Sequence, residues 1–188
     1  MRILLAVDHP RQTSLTHAVA EAFRTGLVEA GHEAALLDLY AEGFDPRMSP
    51  ADEPDWSDMA KTYSAEVEAH MDRIRAADAM AFVFPVWWWG LPAMTKGYID
   101  RVFNQGFAYG GSTKVPLKRI EWLALAATGE ESYLKRGYLA ALKAQALVGI
   151  ANYCGVEDTR LELFYESLGG GDTATRFFQR AGALGRAW

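Results

Sequence analysis

Apolar and polar positions follow two rhythms along this chain. Short runs dominated by apolar residues occur at Ile3 to Val7, Ala34 to Tyr40, Ala79 to Pro85, Glu121 to Ala127 and Arg160 to Tyr165. They predict five strands, and the unbroken apolar run of the first is what burial on both faces of a parallel sheet requires. Between them the pattern lengthens to a helical period. From Ser14 to Ala30, the positions Leu15, Val19, Ala22, Phe23 and Leu27 share one side, and Gly31 supplies the stop. Further helices are predicted around Tyr63 to Arg75, from Pro92 (in the first turn) to Phe103, as one helix over roughly Leu134 to Tyr153, and from Thr173 to Ala183, capped by Asp172 or Thr173. Ala41 to Trp56 is polar, with three prolines and a glycine, and predicts a long loop whose acidic stretch Ala51 to Asp55 is solvated.

Strands alternating with helices imply one α/β domain over the whole chain: a five-stranded parallel sheet with helices on both faces. The flavodoxin-like strand order 2-1-3-4-5 is expected, and such sheets bind ligands beyond their carboxyl ends, where the strand order reverses between strands 1 and 3. The loops after Val7, Pro85 and Ala127 are therefore the candidate site.

Composition narrows the chemistry. The 188 residues carry a formal charge of -5, which disfavours nucleic acid as a partner. The single cysteine, Cys154, allows no internal disulfide and reads as an inert buried thiol, and the four histidines have no metal-ligand spacing. His70 reads as a surface or packed residue. The N-terminus reads as a strand and no apolar run reaches membrane-spanning length, so a cytoplasmic protein without a membrane span is expected.

The first loop, Asp8 to Leu15, runs from a strand into a helix and holds His9, Arg11, Thr13 and Ser14. Hydroxyls beside the free N–H groups of a helix start make a plausible phosphate cradle, although one hydroxyl can equally serve as a simple N-cap. It is neither a P-loop nor a G-x-G-x-x-G turn. In the second loop Trp87, Trp88 and Trp89 follow Val86 without a break, ahead of Gly90, which offers close backbone approach. Three adjacent indoles cannot all face one core. At least one should be exposed or lie against a flat ligand, while another packs.

The segment Pro85-Val86-Trp87-Trp88-Trp89-Gly90-Leu91-Pro92-Ala93-Met94-Thr95-Lys96-Gly97-Tyr98-Ile99-Asp100-Arg101-Val102-Phe103, followed by Gly106-Phe107-Ala108-Tyr109, closely resembles a motif of the NAD(P)H:quinone dehydrogenase family. Asp38-Leu39-Tyr40 with Phe44-Asp45-Pro46, and the His9, Thr13, Ser14 loop, extend the resemblance over most of the chain. It implies a flavin, FAD or alternatively FMN, with NADPH or NADH as electron donor. The flavin phosphates would lie on His9, Thr13, Ser14 and Leu15. The ring would lie against Pro85, Val86, Trp87, Trp88 and Trp89, and Thr128, Gly129, Glu130 and Tyr133 would complete its site. Glu130 stands where the family has a second glycine, and no histidine follows His70. Tyr133 is the candidate catalytic hydrogen-bonding residue. Trp88 and Tyr109 are candidate substrate contacts, Tyr109 reaching the partner of a homodimer. The implied reaction passes a hydride from NAD(P)H by way of flavin N5 to a quinone or similar two-electron acceptor, in ping-pong order. A regulatory protein docked on a potassium-efflux transporter is the alternative, and a flavodoxin-type electron carrier the weaker third.

Overall fold

Five parallel strands, β1 (Arg2–Val7), β2 (Glu33–Asp38), β3 (Ala79–Pro85), β4 (Arg119–Leu125) and β5 (Asp158–Phe164), pair in the order β2-β1-β3-β4-β5 in the computed structural model, which describes Met1–Trp188. The predicted fold class and strand order are those observed. The period of two explains how the sheet is covered. Leu4, Ala6, Met80, Phe82, Phe84, Ile120, Trp122 and Ala124 face one layer, and Ile3, Leu5, Val7, Ala79, Ala81, Val83, Leu123 and Leu125 face the other. The first layer is built by α2 (Ala65–Arg75), α3 (Ala93–Val102), α4 (Glu130–Lys135) and α5 (Tyr138–Lys143), and the second by α1 (Leu15–Glu29) and α6 (Thr173–Arg186). Helices α1 and α6 approach through their backbones: a Cβ on Gly26 would lie 2.2 Å from the Gly182 carbonyl oxygen.

The predicted single helix from Leu134 to Tyr153 is three pieces. Gly137, in the left-handed region at φ +75, separates α4 from α5, which passes into a π-helix over Ala144–Asn152. Periodicity cannot register a break that leaves apolar positions on the same face. Pro92 stands one place earlier than expected, as the N-cap of α3, where its missing N–H has no consequence. Neither Asp172 nor Thr173 caps α6 with its side chain. Asp172 occupies the cap position without such a bond, and the Thr173 hydroxyl donates to the Gly170 carbonyl.

The acidic stretch Ala51 to Asp55 is not simply solvated. Asp52 is fully buried, its carboxylate accepting from Arg101 Nη2 at 2.7 Å, from Ser64 N–H at 2.9 Å and from the Ser49 hydroxyl at 2.9 Å. Arg101 also pairs with Glu66 at 2.8 Å and lies over the Phe44 ring. This network fastens the long loop to α3. His70 is packed, not superficial, edge-on to Phe44 and Tyr98. Cys154 is buried and its thiol is pushed up to about 11 by burial, so it is a neutral thiol at neutral pH. No helix is long and apolar enough to cross a membrane.

Candidate functional site

The first loop enters α1 through Ser14, whose Oγ accepts the His17 N–H at 3.3 Å. Ser14 is thus an N-cap, as one reading of the loop allowed. The N–H groups of Leu15 and Thr16 in the same turn stay open to a bound acceptor. His9 Nδ1 accepts the Arg11 N–H at 3.0 Å, so its second ring nitrogen carries the hydrogen when the ring is neutral. Neutrality is favoured because burial, Arg11 and His17 together lower its titration. His9 therefore presents a donor without a charge.

The second loop carries the largest departure from ordinary backbone. Trp87 and Gly90 bridge across a tight turn closed by Gly90 N–H donating to the Trp87 carbonyl at 3.2 Å. The central residues, Trp88 and Trp89, sit at φ 52 and φ 63, in the left-handed region. Gly90, expected to allow close backbone approach, has an ordinary backbone and room for a Cβ, and the left-handed strain falls on the two indoles. Each such residue costs about 1–2 kcal/mol. Trp89 recovers contact energy by stacking on Tyr138 at a centroid distance of 3.9 Å. Trp88 recovers nothing within the chain, being 95% exposed. One indole packs and one projects, as the triplet required, and strain concentrated beside a cleft is a mark of function. Trp88→Gly should therefore raise the stability of the isolated protein by about 1 kcal/mol, or roughly 2–4 °C in melting temperature. A lowered melting temperature would show that the turn is not strained at Trp88.

The third loop supplies an unmet donor. Thr128 Oγ1 is buried and has no hydrogen-bond partner, which is costly unless a ligand supplies one. Val86, Trp88, Trp89, Ala127, Thr128 and Tyr133 line one hollow of about 220 Å³. Tyr133 is buried edge-on to Trp89 and Tyr165, and burial pushes its phenol up to about 12, so it remains a hydrogen-bond donor at neutral pH. Gly129 is the N-cap of α4 and Glu130 is exposed in its first turn, beside Glu131, giving the site an acidic rim.

The predicted residues do not share a single cavity. His9, Leu15, Pro85, Val86 and Trp87 line a cleft of about 290 Å³, while Thr13 and Ser14 face a separate hollow between α1 and β2. Val86 belongs both to the cleft and to the Thr128 hollow, which makes these two contiguous. Tyr109 lies apart, in a cavity of about 430 Å³, with Trp56, Tyr153, Cys154, Lys96 and Asp100. The π-helix turns Gln145, Gly149 and Ile150 into this cavity.

Several residues escaped the sequence reading. Asp8 accepts the Thr95 N–H at 2.7 Å and its hydroxyl at 2.6 Å, tying the end of β1 to the start of α3. Burial pushes its carboxyl upward, and its second oxygen is unpartnered. Asp38, seen only as part of the Asp38-Leu39-Tyr40 motif, gathers His17 Nε2 at 2.9 Å and Gln12 Nε2 at 2.7 Å, while His17 Nδ1 lies 3.0 Å from Ser14 Oγ. The D-L-Y motif was the available signal for Asp38; nothing in the spacing marked Gln12 or His17.

Known proteins match this arrangement. The flavodoxin-like fold family matches residues 1–184. An NAD(P)H oxidoreductase of Escherichia coli K12, YcaK, itself described as uncharacterized, is 41% identical over 157 residues, 84% of this chain and 80% of that protein. The rat NAD(P)H dehydrogenase [quinone] 1 is 29% identical over 187 residues, 87% of this chain and 68% of its own. The structure of an NAD(P)H:quinone oxidoreductase from Methanothermobacter marburgensis superposes with a TM-score of 0.94 at 29% identity, covering 99% of this chain and 96% of that one. With the strand order and these relatives in agreement, the chain belongs to the NAD(P)H:quinone dehydrogenase family of flavodoxin-like oxidoreductases.

Proposed function

We propose that the chain is a flavin-dependent NAD(P)H oxidoreductase that reduces quinones or similar two-electron acceptors. The observation carrying this reading is the strained turn that projects Trp88 beside the unpartnered Thr128 hydroxyl at the switch point of the sheet. The residues present fit a flavin: open N–H groups at Leu15 and Thr16, a neutral donor at His9, a hydroxyl at Thr128 and a flat aromatic platform. A bound flavin, FAD in this reading, supplies hydride acceptance from NADPH or NADH and hydride delivery to the acceptor.

The chain's own part is position and electrostatics. His9, Thr13, Ser14 and Leu15 would hold the phosphates, and Pro85, Val86, Trp87, Trp88 and Trp89 would hold the ring. Thr128 and the Gly129 N–H would donate where negative charge develops on reduction. Tyr133, protonated at neutral pH, would donate a hydrogen bond to flavin or acceptor. Glu130, in place of a glycine, puts a carboxylate near that charge and works against it. Donor and acceptor would use one site in turn, and ping-pong kinetics are expected. Exposed Trp56 and Tyr153 beside Tyr109 favour a homodimer in which Tyr109 reaches the second site.

The test is the visible spectrum of the purified protein before and after anaerobic addition of NADPH or NADH, with the released cofactor identified by chromatography. A flavin band bleached by one nucleotide is the expected result, and it names both cofactor and donor. A colourless protein that takes up neither FAD nor FMN would sink the enzyme reading and return the balance to a regulatory protein.

A further inference from the structure

The fold assembles an array that the flavin-phosphate reading does not account for. Asp38, at the end of β2, accepts from Gln12 Nε2 at 2.7 Å and lies 2.9 Å from His17 Nε2 on α1. Its other oxygen accepts the N–H groups of Tyr40 at 3.1 Å and Ala41 at 2.9 Å. His17 Nδ1 lies 3.0 Å from Ser14 Oγ. His17 and Asp38 are largely withdrawn from solvent, and Ser14 is buried.

Donor counting decides what this array does. An ionised carboxylate only accepts, so Asp38 requires the hydrogen on His17 Nε2. Burial pushes the Asp38 carboxyl up, but the Ala41 N–H, His17 and Gln12 outweigh it and keep the group ionised at neutral pH. A neutral His17 then has a bare lone pair on Nδ1, and the Ser14 hydroxyl hydrogen must point at it. In that state Ser14 has no hydrogen left for a phosphate. A protonated His17 donates from both nitrogens, to Asp38 and to Ser14 Oγ, and the Ser14 hydroxyl hydrogen is released to face an anion.

We propose that His17, held by Asp38, is the positioning residue that sets the direction of the Ser14 hydroxyl, so that binding of the flavin phosphates takes up one proton from solvent at His17 Nδ1. This rests on the flavin-phosphate reading above and adds a proton to it. The groups facing His17 are Asp38 from β2, His9 at a ring distance of 6.5 Å with Arg11 beyond it on the first loop, Glu21 one turn along α1, and Asp8, which acts on Asp38. His9 is the other imidazole beside this array, so the test must separate the two.

FAD titrated into the flavin-free full-length protein at pH 6 to 9, read by fluorescence quenching, does so, because its diphosphate does not change charge over that range. The affinity should fall as pH rises, by at most tenfold per pH unit, because one proton is taken up with the FAD. His17→Gln keeps a donor for Asp38 and leaves Ser14 free, so it should bind FAD with a flat pH profile. His9→Gln should bind more weakly overall and keep the slope. Nitrogen NMR of the imidazoles in the unaltered protein gives a second readout: FAD should raise the protonated fraction of His17 at constant pH. A slope that survives His17→Gln, or a His17 signal indifferent to FAD, would overturn the relay while leaving the flavin site standing. Failure of the unaltered protein to bind FAD at any pH would overturn the phosphate cradle and the relay with it.

Discussion

Replacing Arg101 by methionine is expected to lower the unfolding free energy by about 3–5 kcal/mol, since it strands a buried charge. Arg101 holds Asp52, which has no exposure at all, through two guanidinium nitrogens at 2.7 and 3.1 Å. The remaining donors, Ser64 N–H and the Ser49 hydroxyl, cannot neutralise it. In the native chain burial pushes the Asp52 carboxyl up, but its hydrogen bonds to Ser64, Arg101 and Ser49 prevail and hold it below its ordinary value. That depressed group contributes stability above the usual carboxylate range and loses it as pH falls through the folded-state value. Without Arg101 burial prevails, the folded-state value rises above the unfolded one, and the sign reverses. The gap between R101M and the native chain should then narrow toward roughly pH 4. Urea unfolding at pH 4 and pH 7 measures both effects, and adding Asp52→Leu to R101M should restore most of the loss. A loss below about 1 kcal/mol at pH 7 would mean the pair is solvated in practice.

Replacing Thr13 and Ser14 together by alanine should weaken flavin binding by about 3 kcal/mol or more, a hundredfold or greater, because each hydrogen bond to a charged phosphate is worth about 1.5–3 kcal/mol. Ser14 is also the N-cap of α1, so the same change costs about 1 kcal/mol of stability. The two effects separate the two readings of the loop. Lost flavin together with the stability cost supports the cradle, whereas full cofactor retention with the stability cost alone makes Ser14 a cap and nothing more. The loss of affinity should be larger at pH 6 than at pH 9, where the Ser14 hydroxyl is already turned toward His17.

What could be read from the sequence follows from which signals are local. The strands were legible because apolar runs such as Ile3 to Val7 and Ala79 to Pro85 are buried on both faces and have no polar interruption. The tryptophan triplet was legible because neighbouring side chains point apart, whatever the fold. The divided helix was not, since Gly137 interrupts the backbone without disturbing the apolar face that Tyr133, Leu142 and Ile150 share. Asp52 was misread because a charged residue among charged residues carries no mark of burial; its partner lies 49 positions away. The Ser14, His17, Asp38 array was hidden for the same reason. It exists only once β2 pairs beside β1 and carries Asp38 to the start of α1.

The left-handed turn at Trp88 and Trp89 also bears on engineering. A selection for heat resistance alone would find Trp88 early, because glycine or asparagine relieves the backbone there and Trp88 has no packing to lose. Its winners would be hardier proteins stripped of the platform proposed above for a cofactor ring. A library meant to improve durability should hold residues 87 to 90 fixed and seek its gains elsewhere, for example in the exposed turns around Ser57 and Ser112. On the proposed reading, the turn is a place where toughness and cofactor binding select for different residues.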